Sequence, residues 1–324
     1  MTLPGFPGTI VAGAASAAEP WVRVGISRRV LTPAATPIAA PEVWSGLLVS
    51  RDGGATWRGP RDDVTGPLTP VVRSGGTLLA GHLGDFSSGL GAGLLRSTDG
   101  GATWGRVPGL LEGRPVAALA VAPSDPRLVF AATAAGSAGV TDPARVYRSA
   151  DGGATWVAGA ILPTPGIDSP SAIVIAPDDP DDVIVAFFNS GMFRSRDGGA
   201  SLAQIQGAPR VTRLIGDPSD PGTLMGLANG GPASTLQVSA DSGATWTARP
   251  APIAGQSVLM TCPADAAPPC RLYALGTRLL RSDDLGVTWS DLGAAPAGAA
   301  SGALQALPGD PPVLVTAAAR TRDE

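Results

Sequence analysis

The segment Ser149-Ala150-Asp151-Gly152-Gly153-Ala154-Thr155-Trp156 is one of six copies of a motif, S-x-D-x-G-x-T-W, that runs through the chain. The other full copies occupy Ser50–Trp57, Ser97–Trp104, Ser239–Trp246 and Ser282–Trp289, and a degenerate copy occupies Ser195–Leu202, where Ser201 and Leu202 replace Thr and Trp. Successive copies begin 47, 52, 46, 44 and 43 residues apart. A period in the forties is typical of repeat proteins, whose units bury their apolar faces against their neighbours.

Each repeat contains four short apolar runs separated by turn residues. In the third repeat the first run is Val116–Val121, the second is Leu128–Thr133, the third enters the motif at Ser149, and the Thr-Trp pair opens the fourth. Such runs, rich in Val, Leu and Thr between Pro, Gly and Asp, are typical of strands, and no stretch shows the sustained 3.6-residue period of a helix. Four strands in a unit of about 46 residues predict an all-β fold, a β-propeller with four-stranded antiparallel blades. We label the strands A to D from the inside outwards, so that the motif forms the turn between C and D.

The composition of the motif suits a tight turn with an apolar anchor. The aspartate can accept hydrogen bonds from backbone N–H groups a few residues on, glycine supplies the turn geometry, and the tryptophan can pack into the seam beside its sheet. Burying an indole removes about 150–250 Å² from water, which is worth roughly 4–6 kcal/mol as an upper bound. Because Leu202 lacks an indole, we expect its blade to be the least firmly held. The predicted structural residues are Asp52, Trp57, Asp99, Trp104, Asp151, Trp156, Asp197, Asp241, Trp246, Asp284 and Trp289.

We interpret residues 1–324 as a single propeller domain. The repeats centre on the motifs, at about residues 47–60, 94–107, 146–159, 192–205, 236–249 and 279–292, and a long loop is predicted at 14–46. Thr9–Gly13 resembles a strand B, and Gly302–Thr316 resembles strands A and B. We therefore favour six blades, with a C-terminal strand completing the N-terminal blade, since an unclosed ring leaves sheet edges unpaired. Seven blades is the alternative, because 324 residues divided by the period gives about seven.

The motif resembles the Asp-box, or BNR repeat, of sialidases, of the sortilin ectodomain, of xyloglucan hydrolases and of the photosystem II assembly-factor family. The resemblance covers about Leu47 to Gly293. It implies a propeller in which the motifs are scaffold and lie on the face away from the active site. It implies little about function, because that superfamily includes enzymes, receptors and assembly factors.

Composition and charge exclude several classes of protein. The chain is 44% hydrophobic and 15% charged, with 44 Gly and 32 Pro, which fits a turn-rich β domain rather than a disordered chain. The formal net charge is −4, so no basic field favours nucleic acid. The sequence contains no run of 18 apolar residues, so it predicts no membrane span. The sequence contains no lysine, as a GC-rich coding sequence would give, and this excludes lysine-based catalysis.

The two cysteines, Cys262 and Cys270, flank a proline-rich turn between two predicted strands. Facing ends of an A–B hairpin would allow a disulfide, which would favour an oxidising compartment. Residues 1–20 match a signal peptide poorly, because no positive region precedes an apolar core that Pro4 and Pro7 interrupt. We interpret the strand-like start at Thr9 as a sign of a truncated chain, and favour an extracytoplasmic location if a signal peptide is missing from it. With two cysteines and one histidine, we expect no metal, and we expect no cofactor.

In a propeller the A–B turns and the motifs share one face, called here the motif face. The opposite face carries the D–A and B–C loops and is called the loop face; it is the usual ligand side of the fold. Arginines, aromatics and carboxylates in these loops could bind a peptide carboxylate, a sugar acid or a partner loop, although loop charges are often merely solvated. The candidate ligand-binding residues are Trp21, Arg28, Arg29, Trp44, Arg61, His82, Asp85, Arg114 and Asp168.

Catalytic readings have weak support in the sequence. The family's sialidases carry an Arg-Ile-Pro segment, which does not occur here, and both tyrosines, Tyr147 and Tyr273, fall in predicted strands. A serine triad would need His82, the single histidine, which has no nucleophile motif beside it. Loop carboxylates leave a glycoside hydrolase open as the alternative; they are Asp62, Asp63, Asp85, Glu112 and Asp168. We favour a monomeric, non-catalytic scaffold that binds an unidentified protein or glycan through the loop face, with no catalytic residue assigned.

Overall fold

The computed structural model describes residues 9–11, 21–25, 46–50, 68–69, 71–83, 93–135, 143–162, 168–217, 220–229, 234–250, 257–261, 271–275, 278–294, 299–307 and 313–318. The regular secondary structure in this part of the chain consists of β-strands, and every pairing between them is antiparallel. This confirms the all-β prediction. Among these residues no helix has the length and apolarity needed to cross a membrane.

Five sheets have four strands each, in the predicted order A to D. Sheet 2 contains β4 (Val72–Ser74), β5 (Thr77–His82), β6 (Gly93–Ser97) and β7 (Gly105–Arg106); sheet 3 contains β8 (Val116–Val121), β9 (Val129–Thr133), β10 (Arg145–Ser149) and β11 (Val157–Ile161); sheet 4 contains β12 (Pro170–Ile175), β13 (Val183–Phe187), β14 (Gly191–Ser195) and β15 (Ala203–Gln204); sheet 5 contains β16 (Arg213–Asp217), β17 (Asp220–Asn229), β18 (Ser234–Ser239) and β19 (Thr247–Pro250); sheet 6 contains β20 (Ser257–Thr261), β21 (Arg271–Leu275), β22 (Arg278–Ser282) and β23 (Ser290–Ala294).

Two smaller sheets lie at the ends of the chain. Sheet 1 contains β1 (Thr9–Val11), β2 (Trp21–Gly25) and β3 (Gly46–Ser50), in that order, and sheet 7 pairs β24 (Ala299–Leu307) with β25 (Val313–Ala318). The long loop predicted at 14–46 is therefore interrupted by β2. In β2 the valines Val22 and Val24 alternate with Arg23 and Gly25. This two-residue period is typical of a strand, and the interpretation as a loop overlooked it.

The position of β1 also corrects a sequence interpretation. We expected Thr9–Gly13 to be a strand B, but β2 lies between β1 and β3, and β3 leads into the first motif. β1 therefore holds position A and β2 holds position B. The short run resembles a strand B in composition, and only its pairing partner distinguishes the two positions.

Inner strands of several neighbouring sheets contact one another. β8 contacts both β4 and β12, β12 contacts β16, and β24 contacts both β20 and β1. Sheet 7 is thus the neighbour of both sheet 6 and the N-terminal sheet 1. We expected one C-terminal strand to complete the N-terminal sheet, whereas within the described residues β24 and β25 pair with each other.

The apolar core lies in the seams between consecutive sheets. Trp156 of sheet 3 packs in one cluster with Leu79 and Leu94 of sheet 2, and Trp246 of sheet 5 packs against Ile184 and Met192 of sheet 4. Trp104 and Trp156 are buried, while Trp246 and Trp289 are partly buried. Trp156, Trp246 and Trp289 thus pack with residues of the preceding sheet, whereas the described neighbours of Trp104 belong to its own sheet and the connection that leads into it. Asp52 and Trp57 of the first motif lie outside them.

Each described motif forms the same hydrogen-bonded turn. In the third copy the Ser149 hydroxyl donates to Asp151 Oδ1 at 2.8 Å, and the N–H of Gly153 donates to Ser149 Oγ at 2.9 Å. The Thr155 N–H donates to Asp151 Oδ1 at 2.8 Å and its hydroxyl donates to Oδ2 at 2.5 Å. The same bonds recur around the motif aspartates Asp99, Asp197, Asp241 and Asp284.

These hydrogen bonds stabilise the charged form of the aspartates. The bonds from the Thr103 side chain and N–H hold the pKa of Asp99 at about 2. The bonds from Thr288 do the same for the pKa of Asp284, which is also about 2. The motif carboxylates are therefore ionised over the whole neutral and mildly acidic range.

The glycine at the fifth position of the motif is required for two reasons. Gly153 has φ +81°, a left-handed conformation that side chains disfavour, and a Cβ there would lie 2.6 Å from Leu79 Cδ1 of the preceding sheet. A Cβ on Gly286 would lie 2.5 Å from Leu236 Cδ2. The fourth position is more tolerant, since Ser242 and Leu285 occupy it with φ values of 56° and 55°.

Arginines outside the motif connect neighbouring sheets. Arg194 of sheet 4 forms an ion pair with Asp182 and donates from Nη1 to the Ser242 carbonyl of sheet 5 at 3.1 Å. Arg249 of sheet 5 donates to the Asp284 carbonyl of sheet 6 at 3.3 Å. The motif turns thus receive hydrogen bonds from the sheet before them, a role for arginine that the sequence analysis missed.

Candidate functional site

The loop face of sheet 4 contains a polar depression. It is formed where the turn between β13 and β14 meets the connection that follows β15. Its volume is about 520 Å³. The polar residues that line it are Asp168, Asn189, Ser190, Gln204 and Arg210.

Asp168 is buried beneath this depression and holds its backbone in place through hydrogen bonds. Its side chain is buried, and its carboxylate accepts the N–H of Ser169 at 2.9 Å, the N–H of Ser190 at 2.7 Å and the Ser190 hydroxyl at 2.5 Å. The N–H of Asn189 also donates to it at 3.3 Å. Asp168 lies at the loop face, as predicted, but its carboxylate holds the β13–β14 turn against the D–A connection instead of facing solvent.

The exposed rim of the depression offers both donors and acceptors. Asn189, Gln204 and Arg210 are exposed, and Gln204 Nε2 donates to the Ser190 carbonyl at 3.2 Å. Among the described residues Arg210 forms no ion pair. A guanidinium and two primary amides lining one depression can bind a carboxylate, a peptide group or sugar hydroxyls. Sequence reasoning missed Arg210, although its place in a D–A connection put it on the predicted face.

Two further predicted residues lie at the loop face but do not line this depression. His82 is the last residue of β5, pairs with Gly93 and is 4% exposed, so it belongs to the sheet rather than to an exposed loop. Arg114 is partly buried and follows a turn in which its N–H donates to the Leu111 carbonyl at 3.2 Å.

The position of Trp21 is a correction. It was expected in a loop on the loop face, but it begins β2 and pairs with Ser50, the first residue of a motif. The backbone of Trp21 therefore lies at the motif face. The remaining candidates, together with the two cysteines and three of the carboxylates considered for catalysis, lie outside the described residues: Arg28, Arg29, Trp44, Arg61, Asp62, Asp63, Asp85, Cys262 and Cys270.

The two faces differ in charge. On the motif face, in the A–B turns, the motifs and the strand ends beside them, aspartates outnumber arginines among the described residues: Asp99, Asp125, Asp151, Asp178, Asp179, Asp181, Asp182, Asp197, Asp217, Asp220, Asp241, Asp283 and Asp284 against Arg73, Arg96, Arg127, Arg148, Arg194, Arg196, Arg249, Arg271 and Arg281. On the loop face arginines outnumber carboxylates: Arg106, Arg114, Arg145, Arg210, Arg213 and Arg278 against Glu112, Asp168 and Asp291. Burial lowers the pKa of Arg213, which begins the inner strand β16.

Both tyrosines are structural. Tyr147 in β10 is 1% exposed and Tyr273 in β21 is 3% exposed, which confirms that they are sheet residues. Neither can reach a ligand on the loop face as the nucleophile of a sialidase would. Of the carboxylates considered for a glycosidase, Glu112 is exposed and Asp168 is buried under the depression.

Comparison with known proteins identifies the type of fold. No protein-family model matches the sequence, and no curated protein does. The structure resembles that of an ancestral GH74 enzyme, with a TM-score of 0.60 and 16% identity over 92% of this chain and 40% of that one. It also resembles YCF48 bound to a D1 peptide, with a TM-score of 0.55 and 18% identity over 90% of this chain and 82% of that one. Both neighbours are β-propellers, and the fold of this chain is of the propeller type. The chain spans about two fifths of the length of the GH74 enzyme.

Proposed function

We propose that this protein is a non-catalytic propeller scaffold that binds a segment of a partner protein or a glycan through its loop face. The observation that carries the proposal is the hydrogen bonding of Asp168. Its carboxylate is occupied by three backbone N–H groups and a hydroxyl, so it shapes a binding depression instead of acting on a substrate.

The chemistry of the rim supports binding to an extended polar ligand. Arg210 supplies a charged donor, and the amides of Asn189 and Gln204 each combine a donor with an acceptor. Peptide backbones and sugars both present alternating donors and acceptors, and a carboxylate on either would be attracted by the surplus of arginine on this face. YCF48, a structural neighbour, is bound to a D1 peptide, which supports a peptide as one ligand class for this fold.

The proposal is tested with two variants on the rim and one control. A glycan array and a peptide-display screen of the full chain would first supply ligands. We expect Arg210→Ala and Asn189→Ala to weaken the best ligand at least about tenfold, or roughly 1.4 kcal/mol, without changing the melting temperature. Arg127→Ala, which removes an exposed arginine on the motif face, should leave binding unchanged. Equal affinity of all three variants would show that this depression is not the binding site.

A glycoside hydrolase is the second candidate. The structural similarity to a GH74 enzyme favours it, as do the predicted loop carboxylates Asp62, Asp63 and Asp85. Turnover of xyloglucan and aryl glycosides by the full chain, abolished in Asp62→Asn or Asp85→Asn, would displace the scaffold proposal. The absence of turnover in the wild type, with ligand binding retained, would support it.

The number of blades is a separate proposal. β24 contacts β20 on one side and β1 on the other, and sheet 1 already has a strand in position A. These contacts favour a ring of seven sheets over the six that the sequence analysis preferred. We further propose that the repeated turns are Asp-boxes and that the chain is a monomer. A crystal structure would count the sheets, and sedimentation would measure the mass in solution.

A further inference from the structure

A second cavity lies on the opposite side of the molecule from the loop-face depression. It opens on the motif face, between the ends of the inner strands β12 and β16, and its volume is about 270 Å³. Its floor is apolar and includes Val174, Ile184, Ile215 and Leu224. Ile184 and Leu224 are buried members of the seam between sheets 4 and 5, so the cavity is an opening at the inner end of that seam.

The rim of this cavity carries three carboxylates and one arginine. Arg194 is held in place, because Nε donates to Asp182 Oδ1 at 2.7 Å, Nη2 contacts the other oxygen of that carboxylate, and Nη1 donates to the Ser242 carbonyl at 3.1 Å. The side chains of Arg194 and Asp182 are 18% and 15% exposed, so this pair is largely buried and its charges offset each other. Of the other two carboxylates Asp217 is buried, at 3% exposed, and Asp220 is exposed, so Asp220 gives the rim its negative charge.

Asp220 follows Asp217 at the motif-face end of the inner strands of sheet 5. The two residues are opposite each other in the backbone register where β16 meets β17. The Asp220 carboxylate accepts the N–H of Gly222 at 2.9 Å and the Thr223 hydroxyl at 2.7 Å, which fixes its position on the rim while the residue stays exposed. Two more exposed aspartates, Asp178 and Asp179, lie on the neighbouring A–B turn and strengthen the negative field, while Asp181 beside them forms an ion pair with Arg148 at 3.8 Å.

We propose that this cavity binds the side chain of an arginine or lysine presented by a partner protein. The apolar floor suits the methylene stem of such a side chain, and the carboxylates on the rim suit its charged head. The cavity is smaller than the roughly 300–1,000 Å³ typical of sites that enclose a whole small ligand. It is therefore suited to one side chain, and the acidic motif face would attract the basic segment that carries it.

This site is independent of the proposed function. It lies on the face that the resemblance treats as scaffold, and it requires a cation where the loop face favours an anion. The two surfaces share no residue, so a variant of one leaves the other intact.

The proposal is tested with butylguanidinium chloride and its uncharged isostere butylurea, titrated into the full chain and followed by NMR. We expect butylguanidinium to bind with a millimolar Kd and butylurea at least about tenfold more weakly. Raising the salt concentration should weaken butylguanidinium binding, because screening acts on the charge and not on the floor.

Asp220→Asn is the matched variant, since it removes one charge while keeping the size of the side chain. We expect it to weaken butylguanidinium binding at least about threefold, or roughly 0.65 kcal/mol, with an unchanged melting temperature. Asp283→Asn removes a carboxylate from the motif face outside the cavity and should leave binding unchanged, as should Arg210→Ala. The proposal is overturned if neither compound binds, if butylurea binds equally well, or if Asp220→Asn and Asp283→Asn have the same effect.

Discussion

The third and fourth motifs form the same turn but anchor it differently. In the fourth, the Ser201 N–H and hydroxyl donate to Asp197 at 2.8 and 2.5 Å, so serine replaces the threonine of the third without loss of a bond. Trp156 closes the third motif and is buried, whereas Leu202 closes the fourth and is partly buried. The polar half of the motif is thus maintained where the aromatic half is lost.

The seam beside Leu202 is nevertheless the most extensive of the buried clusters. It contains Phe130 of sheet 3 and Phe187 and Phe193 of sheet 4, and the last two rings pack edge to face with centroids 5.6 Å apart. Aromatic side chains from the strands therefore occupy the seam in which the other sheets use the motif tryptophan. The turn and the seam are therefore separate requirements: the turn depends on the polar residues of the motif, whereas the seam can be filled by aromatic residues from the strands.

The largest effect is expected when the tryptophan of the third motif is removed. Trp156→Ala should lower the free energy of unfolding by about 3–5 kcal/mol, because it removes a buried aromatic ring. Leu202→Ala should cost less, since Leu202 is smaller and only partly buried. Urea denaturation of both variants measures the difference, and equal costs would contradict the packing of the tryptophan in the seam.

A smaller effect is expected when the fourth motif is restored. Leu202→Trp completes the consensus, but Phe130, Phe187 and Phe193 already fill the seam. We expect overpacking to lower the free energy of unfolding by about 1–3 kcal/mol, which urea denaturation measures. Leu202→Met keeps the volume and is the control. A stabilised Leu202→Trp variant would show that the seam lacks an aromatic anchor and that this blade is the least firmly held, as the sequence suggests.

The smallest effect tests the half of the motif that both copies share. The hydrogen bonds from Ser201 lower the pKa of Asp197 to about 2, below the unfolded value near 3.9. A lowered folded-state pKa stabilises the protein above the unfolded value, and this stability is lost as the pH falls from about 4 towards 2. Urea denaturation at several pH values measures the loss. It should be smaller in Asp197→Asn than in the wild type, and an unchanged pH dependence would argue against the hydrogen bonds.

The sequence predicted the parts of the fold that depend on local chemistry. Spacing and turn residues located the C–D turns, and the position of Trp156 after the turn indicated its seam. β2 was missed because its flanking segments resemble loop sequence, and strand A was confused with strand B because only pairing separates them. Local propensity does not encode which strand lies beside which.

The candidate site was harder to predict, because it depends on distant contacts. Asp168 was found on the expected face, but its role follows from the approach of a turn that is about twenty residues further along the chain. Arg194 gains its role from the neighbouring sheet and Arg210 from the β13–β14 turn, and a single sequence does not show those contacts. The sequence shows that the loops carry many charged residues. It does not show which of these residues lie close together in the fold.

The unequal distribution of charge between the two faces has a consequence for how the molecule approaches others. A formal net charge of −4 describes the chain as mildly acidic. Among the described residues, the arginines of one face and the aspartates of the other form a dipole along the direction of the inner strands. It should turn one pole towards a negatively charged surface and the other towards a positive one, so that adsorption to an ion-exchange matrix of either sign occurs in a defined orientation.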